Sequence, residues 1–249
     1  MPVVHLLGTG AAVSDPSRTT TMLAFESQGR SVVVDCGGDV VQRLMAAGID
    51  PADIEAMIVT HEHPDHVSGF PLFMEKIWLL GRRDPIPVYG IRPAIDQARR
   101  AWEAFHTGGW KGVPDITWHE VAHEAGAQVL ANERWRITAA PGIHGVPVVG
   151  LRVEDARGPG VAAYSCDTAR SDLIIELSRG ADVLVHEATG TEQGGHSTNQ
   201  QAAEVAREAG VGRLVLVHLP PGVEDAQLAA ARTIFPHVEF GTDGARYDF

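Results

Sequence analysis

Cysteine and long apolar runs are scarce in this sequence of 249 residues. Its two cysteines, Cys36 and Cys166, are too few for a disulfide framework, so we expect a reducing, cytoplasmic setting. Both fit as small buried hydrophobic side chains. No apolar stretch approaches the ~18 residues of a membrane helix. The N-terminus lacks a basic segment followed by a long apolar core, so we expect no secretory signal and no membrane association.

Basic residues are scarce as well. The chain has 20 Lys and Arg against 32 Asp and Glu, a formal net charge of −12. Lys76 and Lys111 are its only lysines, and no basic cluster stands out. Tight binding of long nucleic acid usually depends on Lys/Arg patches and counterion release. We therefore do not expect a long nucleic acid as a partner, whereas bound divalent cations would offset part of the charge locally.

The most informative segment is Thr60-His61-Glu62-His63-Pro64-Asp65-His66, which places four metal-binding side chains within six positions. It directly follows an apolar run, residues 54–59, that predicts a buried strand. Burying several imidazoles and a carboxylate is costly unless each finds a partner, and a metal ion supplies partners for all of them. On an extended loop the first two histidines can close on one ion, with the aspartate and the last histidine directed toward a second.

Three further β-type runs each lead into a potential metal ligand. His144, Asp167 and His218 follow the apolar runs at 135–140, 161–166 and 214–217. A single histidine after a strand is common, but three such loops together with the first motif form a specific signal. We therefore predict a site with two metal ions.

Apolar periodicity predicts β-strands alternating with helices, a layered α/β fold with the helices outside. We predict strands near residues 2–8, 20–26, 31–35, 54–60, 86–90, 115–121, 126–130, 134–140, 147–153, 161–165, 182–186, 213–217 and 237–240. We predict helices near 39–47, 69–80, 92–105, 169–179, 197–209 and 224–234. No linker or low-complexity segment divides the chain, and the proposed ligands run from His61 to His218, so we predict a single domain over residues 1–249.

The run at 61–66 resembles the H-x-H-x-D-H signature of the metallo-β-lactamase superfamily, and the resemblance spans nearly the whole chain. It implies a four-layer αβ/βα sandwich with two divalent metal ions at one edge. By the same resemblance, one ion is held by His61, His63 and His144, the other by Asp65, His66 and His218, and Asp167 bridges them. Zinc suits such histidine-rich ligands, and manganese or iron are alternatives because availability often decides.

Two residues beside the predicted ligands have alternative interpretations. In the family resemblance Asp35 braces the first histidine loop, although a helix cap is equally consistent with its position. Cys166 adjoins Asp167 and could contact the metal site. His5, His119, His123 and His237 fit as ordinary surface or core histidines.

A second pair of motifs, His186-Glu187-Ala188-Thr189 and Gly195-His196-Ser197-Thr198, resembles those of the ribonuclease Z branch and its shorter hydrolase relatives. A two-metal hydrolase needs a proton donor for the leaving oxygen, and His196 fits that role. Glu187 would accept the other ring N–H and fix the tautomer. Alternatively, Ser197-Thr198 is an ordinary helix cap, and His186 fits packing at a strand end.

This sequence differs from ribonuclease Z in a segment that bears on substrate size. In the bacterial enzyme a tRNA-clamping arm lies between the residues matching His144 and Asp167, but here only 22 residues separate them. The closer resemblance is to armless phosphodiesterase and arylsulfatase-like members, and we therefore do not expect tRNA as a partner. The aromatic residues between Trp102 and Trp118 could line a pocket for an apolar leaving group, or they could belong to the core.

We therefore predict a binuclear metal-dependent hydrolase that cleaves a small phosphodiester or similar ester through a metal-bridging hydroxide. Asp65 would orient the nucleophile, and His196 with Glu187 would assist the leaving group. The alternatives are tRNA 3′-end cleavage, and lactone, thioester or sulfate ester hydrolysis at the same site. A di-iron oxygen- or NO-reducing protein would need a glutamate in place of His63 and an attached flavodoxin domain. A homodimer is expected by family analogy alone.

Overall fold

Two mixed β-sheets frame the computed structural model, which describes residues 1–190 and 194–249. The strands of the first sheet are β1 (Val3–Gly8), β2 (Met22–Ser27), β3 (Arg30–Val34), β4 (Ile54–Val59), β5 (Ile86–Gly90) and β6 (Ile116–Glu120). Those of the second are β7 (Ala127–Ala131), β8 (Trp135–Pro141), β9 (Val149–Asp155), β10 (Val161–Tyr164), β11 (Val183–Glu187), β12 (Arg213–Val217) and β13 (Val238–Phe240). The chain then returns to the first sheet as β14 (Arg246–Asp248).

Helices cover the outer face of each sheet, as the predicted αβ/βα sandwich requires. The first sheet carries α1 (Val40–Ala46), α2 (Pro64–Val67), α3 (Phe70–Leu79) and α4 (Arg92–Glu103), and the second carries α5 (Asp172–Ser178), α6 (Asn199–Ala209) and α7 (Ala229–Ile234). Side chains from both sheets, such as Phe25 and Trp135, are fully buried in one shared core. No helix in the described residues is both long and apolar enough to cross a membrane.

Each sheet is antiparallel at one side and parallel at the other. The first has the order β14-β1-β2-β3-β4-β5-β6 and is parallel from β3 to β6. The second has the order β13-β12-β11-β10-β9-β8-β7 and is parallel from β10 to β13. Parallel neighbours need crossover connections, which the helices provide. The loops that carry the predicted ligands follow the carboxyl ends of the parallel strands β4, β10 and β12 and of the antiparallel strand β8.

Over the described residues most predicted elements agree with the observed ones, and the differences include an unpredicted 3₁₀ turn at Pro51–Asp53. The sequence did not predict β14, a short and partly exposed strand without an apolar run. The first histidine motif is extended only up to His63, because Pro64 opens the short helix α2. The helix expected near 169–179 begins only at Asp172. The helix expected near 224–234 is a 3₁₀ turn, Asp225–Leu228, followed by α7.

Candidate metal centre

Three strained turns deliver side chains to the carboxyl edge of the sheets. Asp35 after β3, Cys166 after β10 and His218 after β12 have φ angles of 63°, 53° and 54°. Non-glycine residues in this left-handed region cost energy and persist where surrounding contacts hold them. Three of the four non-glycine residues with positive φ among the described residues therefore lie at this edge, and the fourth, Gln28, lies in the turn between β2 and β3.

The first histidine motif is held against the turn after β3 at backbone level. A Cβ on Gly37 would lie 1.7 Å from the carbonyl oxygen of Asp65, so only glycine fits there. The amide of Cys36 donates to the carbonyl of His66 at 2.8 Å. This close packing fixes α2 and directs Asp65 and His66 toward the edge.

The predicted ligands meet in two adjacent groups. In the first, ligand atoms of His61, His63, His144 and Asp167 all lie within 4.8 Å of one another. In the second, those of Asp65, His66 and His218 do so within the same limit. The carboxylate of Asp167 lies between the groups, with Oδ1 3.5 Å from His66 Nε2 and Oδ2 3.3 Å from His218 Nε2. Its Oδ2 is also 3.9 Å from Nε2 of His61 and of His144.

Buried atoms without partners show that this donor set fits cations. His61 Nε2, His66 Nε2 and Asp167 Oδ1 are buried and form no hydrogen bond with any residue that the structure describes. Nδ1 of His63 and Nε2 of His144 lie only 3.1 Å apart. Unsatisfied polar atoms in a protein interior are costly. Imidazole nitrogens and carboxylate oxygens converging in this way are the ligands that zinc and similar divalent ions prefer.

The other ring nitrogen of four of these histidines is held by an acceptor outside the groups. The pairs are His61 Nδ1 with Thr60 Oγ1 (3.2 Å), His66 Nδ1 with Asp35 Oδ2 (2.8 Å), His144 Nδ1 with the Gly195 carbonyl (3.2 Å) and His218 Nδ1 with Thr189 Oγ1 (2.9 Å). An acceptor at Nδ1 places the ring proton there and leaves Nε2 as the inward-facing ligand atom.

Of the two interpretations of Asp35, the structure shows the brace. Its carboxylate accepts hydrogen bonds from Thr60 N at 2.9 Å and Thr60 Oγ1 at 2.8 Å, besides the one from His66. Helix α1 is capped instead by Asp39. The Cys166 thiol donates to Thr60 Oγ1 at 3.0 Å, so it contacts the residue that orients His61.

The electrostatics of the site favour the forms that bind cations. Burial, followed by the charge of His66, lowers the pKa of His61 to about 2 and keeps it neutral. Burial opposes ionisation of Asp65, but the hydrogen bond from His218 and the charge of His66 outweigh it and lower the pKa of Asp65 to about 2.

Positive charge is favoured at the centre of the site. Burial disfavours charge on His66, yet the carboxylates of Asp167 and Asp35 prevail and raise its pKa well above the usual value. Histidine must lose its proton to bind a metal, so a cation would replace this proton rather than add to it.

Glu187 and His196 form a pair beside the two groups. Glu187 ends β11, is fully buried, and accepts a hydrogen bond from His196 Nδ1 at 3.1 Å. That bond raises the pKa of His196. The His196 ring stacks on His218 with centroids 5.3 Å apart and contacts the edge of His144. The cap of α6 is Thr198 with Gln201, so the capping interpretation applies to Thr198 and not to His196.

Sequence reasoning missed three residues of this site. Thr60 lies within the first histidine motif but was assigned no role, although its hydroxyl oxygen lies 3.2 Å from His61 Nδ1. Thr189 and Gly195 lie within the second pair of motifs but received no role, although each accepts a hydrogen bond from one of the histidines in the groups. His186 is buried as expected at a strand end, with Nδ1 2.7 Å from its neighbour's carbonyl.

The aromatic stretch lies apart from the two groups. Trp110 stacks on Trp78 at 4.9 Å and meets Trp102 edge-on at 6.3 Å, while Trp118 packs on Phe70. Trp102 and Trp118 also contact the shared core, and a cleft of about 290 Å³ lies between them. The ring contacts among described residues join these side chains to each other and to the core, which favours the packing interpretation.

Comparison with known proteins identifies the family. Residues 30–219 match the family model described as the β-lactamase superfamily domain. This chain belongs to the metallo-β-lactamase superfamily. It is accordingly a hydrolase of a family that uses divalent metal ions, and its histidine and aspartate groups lie where such ions could bind.

Proteins similar to this chain include some named ribonuclease Z and others described only by the metallo-β-lactamase fold. A protein named ribonuclease Z from Methanothermobacter thermautotrophicus is 32% identical, covering 98% of this chain and 95% of the relative. The structure of YhfI, a metallo-β-lactamase fold protein from Bacillus subtilis, is 26% identical with a TM-score of 0.81 over 100% of this chain and 99% of that one. Human tRNase Z, short form, is 25% identical with a TM-score of 0.82 over 99% and 98%.

A difference in length accompanies this similarity. The alignment with the archaeal ribonuclease Z runs over 299 positions, whereas this chain has 249 residues, so the relative contains about 50 or more residues that this chain lacks. Between His144 and Asp167 this chain forms only the antiparallel pair β9 and β10, joined by a short turn. Residues 145–166 therefore contain no further helix or strand that could form a protruding arm.

Proposed function

We propose that this chain is a binuclear metal-dependent phosphodiesterase that acts on small esters. The observation that carries the proposal is a pair of ligand groups with Asp167 between them, and with His196 and its buried partner Glu187 beside them. A relative named ribonuclease Z supports phosphodiester chemistry over carboxyl ester or sulfate ester chemistry.

Two divalent ions, with zinc as the first candidate, would be held by the seven ligands that converge at the edge. In this proposal His61, His63 and His144 would hold one ion, Asp65, His66 and His218 would hold the other, and the carboxylate of Asp167 would serve both. Bound ions would lower the pKa of the attacking water and neutralise charge developing on the phosphoryl oxygens.

The protein's own residues would supply orientation and a proton. Asp65, ionised at neutral pH, would accept a hydrogen bond from the attacking water and align it with phosphorus. His196, whose pKa Glu187 raises, would hold a proton on Nε2 and transfer it to the departing alcohol. Glu187 would retain the Nδ1–H throughout and keep the ring in one orientation.

Substrate size is inferred from charge and from the missing arm. A formal net charge of −12 disfavours a long polyanion. The short β9–β10 connection offers no extended surface for a tRNA body. The second candidate, tRNA 3′-end cleavage, is favoured by the names of the relatives alone.

One substrate panel separates these candidates. Purified protein loaded with Zn²⁺ or Mn²⁺ would be assayed on bis(p-nitrophenyl) phosphate, p-nitrophenyl acetate, p-nitrophenyl sulfate and a tRNA precursor with a 3′ trailer. We expect the diester to be turned over with the highest kcat/KM among the small esters and the precursor to remain uncut. Preference for acetate or sulfate would contradict the phosphodiesterase proposal, and a single cut at the tRNA 3′ end would contradict the size limit.

A further inference from the structure

The hydroxyl of Thr189 lies at the point where the second ligand group meets the His196–Glu187 pair. Thr189 Oγ1 is 2.9 Å from His218 Nδ1, 3.1 Å from Glu187 Oε2 and 3.3 Å from His196 Nδ1. Its own backbone amide donates to Glu187 Oε2 at 2.9 Å. Thr189 lies just beyond the end of β11. Together these contacts hold its side chain in a single orientation.

The atoms around His218 and Thr189 determine which atom donates each of these hydrogen bonds. Nε2 of His218 faces Asp65 Oδ2 at 3.2 Å and Asp167 Oδ2 at 3.3 Å, so it is the ligand atom. The ring proton then lies on Nδ1 and is donated to Thr189 Oγ1. The hydroxyl in turn donates its single proton to Glu187 Oε2, since a carboxylate is the strongest acceptor in reach.

The two carboxylate oxygens of Glu187 accept hydrogen bonds from different sets of residues. Oε1 accepts from His196 Nδ1 at 3.1 Å and from the amide of Ser197 at 2.8 Å. Among the residues that the structure describes, Oε2 accepts only from Thr189. One buried carboxylate thus holds the proton donor directly and the ligand His218 through a single hydroxyl.

We propose that Thr189 is a positioning residue that fixes the tautomer of His218 and links the second metal position to Glu187. The inference rests on the ligand set of the proposed function, but not on its substrate. Removing the hydroxyl leaves the Nδ1–H of His218 without its acceptor, so the ring loses its fixed orientation. Outer partners of metal-bound histidines typically change metal affinity by about 10–100-fold when they are lost.

Three variants test this inference through metal binding. T189V keeps the shape and loses the hydroxyl, and T189S keeps the hydroxyl. T198V removes the threonine that caps α6 and serves as the matched control. Zn²⁺ affinity and stoichiometry would be measured by competition with a chromophoric chelator, with the melting temperature recorded on the same samples.

We expect T189V to weaken one of two zinc equivalents by about 10–100-fold, T189S to bind like wild type, and T198V to lower only the melting temperature. Wild-type affinity in T189V, or equal weakening in all three variants, would overturn the role of Thr189. If the wild type binds two zinc ions without hydrolysing phosphodiesters, the proposed substrate fails and the result for T189V still decides this inference. A wild type that binds no zinc would overturn both.

Discussion

At the scale of single residues, the surroundings of Glu187 determine how His196 can act. The carboxylate is fully buried and accepts hydrogen bonds from the amides of Thr168, Thr189 and Ser197 besides that of the imidazole. This many donors offset the cost of removing the carboxylate from water. His196 therefore has a rigid partner. A proton donor needs such a partner because it must be held in position to reach the leaving oxygen.

His196→Ala should separate proton donation from metal binding. We expect kcat to fall by about 10²–10⁴-fold while the metal content measured by elemental analysis stays that of wild type. The loss should be larger for alkyl leaving groups than for p-nitrophenol, because a good leaving group needs little protonation. His119→Ala, an exposed histidine stacked on Tyr89, is the matched control and should change neither quantity. Loss of metal in His196→Ala would instead make His196 a ligand.

At the scale of elements, the segment from Gly194 to Ser197 is pressed against the loop of His144. A Cβ on Gly195 would lie 2.6 Å from His144 Cα and 2.8 Å from the carbonyl oxygen of Ile143. Its φ of +80° also favours glycine. The same residue accepts the His144 Nδ1–H, so the segment carrying the proton donor also orients a ligand of the first group.

Gly195→Ala is expected to displace this segment while the sheets remain folded. A shift of about 1 Å in reacting groups can lower the rate on the order of 10²-fold, and we expect a loss of that size in kcat. Gly210→Ala is the control, since Gly210 has a φ of +65° but a Cβ there would meet nothing within 4 Å. Both substitutions place an alanine at a positive φ, so both should lower the free energy of unfolding, measured with urea, by about 1–2 kcal/mol. Equal kcat values for the two variants would contradict the claim that the position of this segment controls the rate.

Local pattern explains why some of these features were predictable. Strand periodicity is set by neighbouring residues, so the loops bearing His144, Asp167 and His218 could be placed from the sequence alone. The partners of those residues could not, because Thr189 and His218 are 29 positions apart and meet only through the pairing of β11 with β12. Strand β14 was missed because it is held by pairing with β1 rather than by apolar content.

At the scale of the whole molecule, metal ions would offset a local concentration of unpaired polar groups. Buried atoms of His61, His66 and Asp167 have no hydrogen-bond partner within residues 1–190 and 194–249, in a chain with a net charge of −12. A ligand that binds only the folded state stabilises it by about 2.7 kcal/mol at a free concentration 100-fold above its Kd. Stability should therefore depend on metal concentration.

Chelation should lower the melting temperature of the wild type, and added Zn²⁺ should restore it in a concentration-dependent manner, as measured by differential scanning calorimetry. Asp167→Asn, which alters the carboxylate between the two groups, should show a much smaller response to added Zn²⁺. An identical melting temperature with and without chelator in the wild type would mean that these residues do not bind a metal in the folded state.

The most direct measurement is metal content by inductively coupled plasma mass spectrometry on protein purified without chelator, with bis(p-nitrophenyl) phosphate turnover assayed on the same sample. Two metal ions per chain together with turnover are the predicted result, because His61, His63 and His144 form one group, Asp65, His66 and His218 another, and Asp167 lies between them. Protein that holds no metal even after reconstitution, or that hydrolyses the diester equally well without metal, would contradict the account.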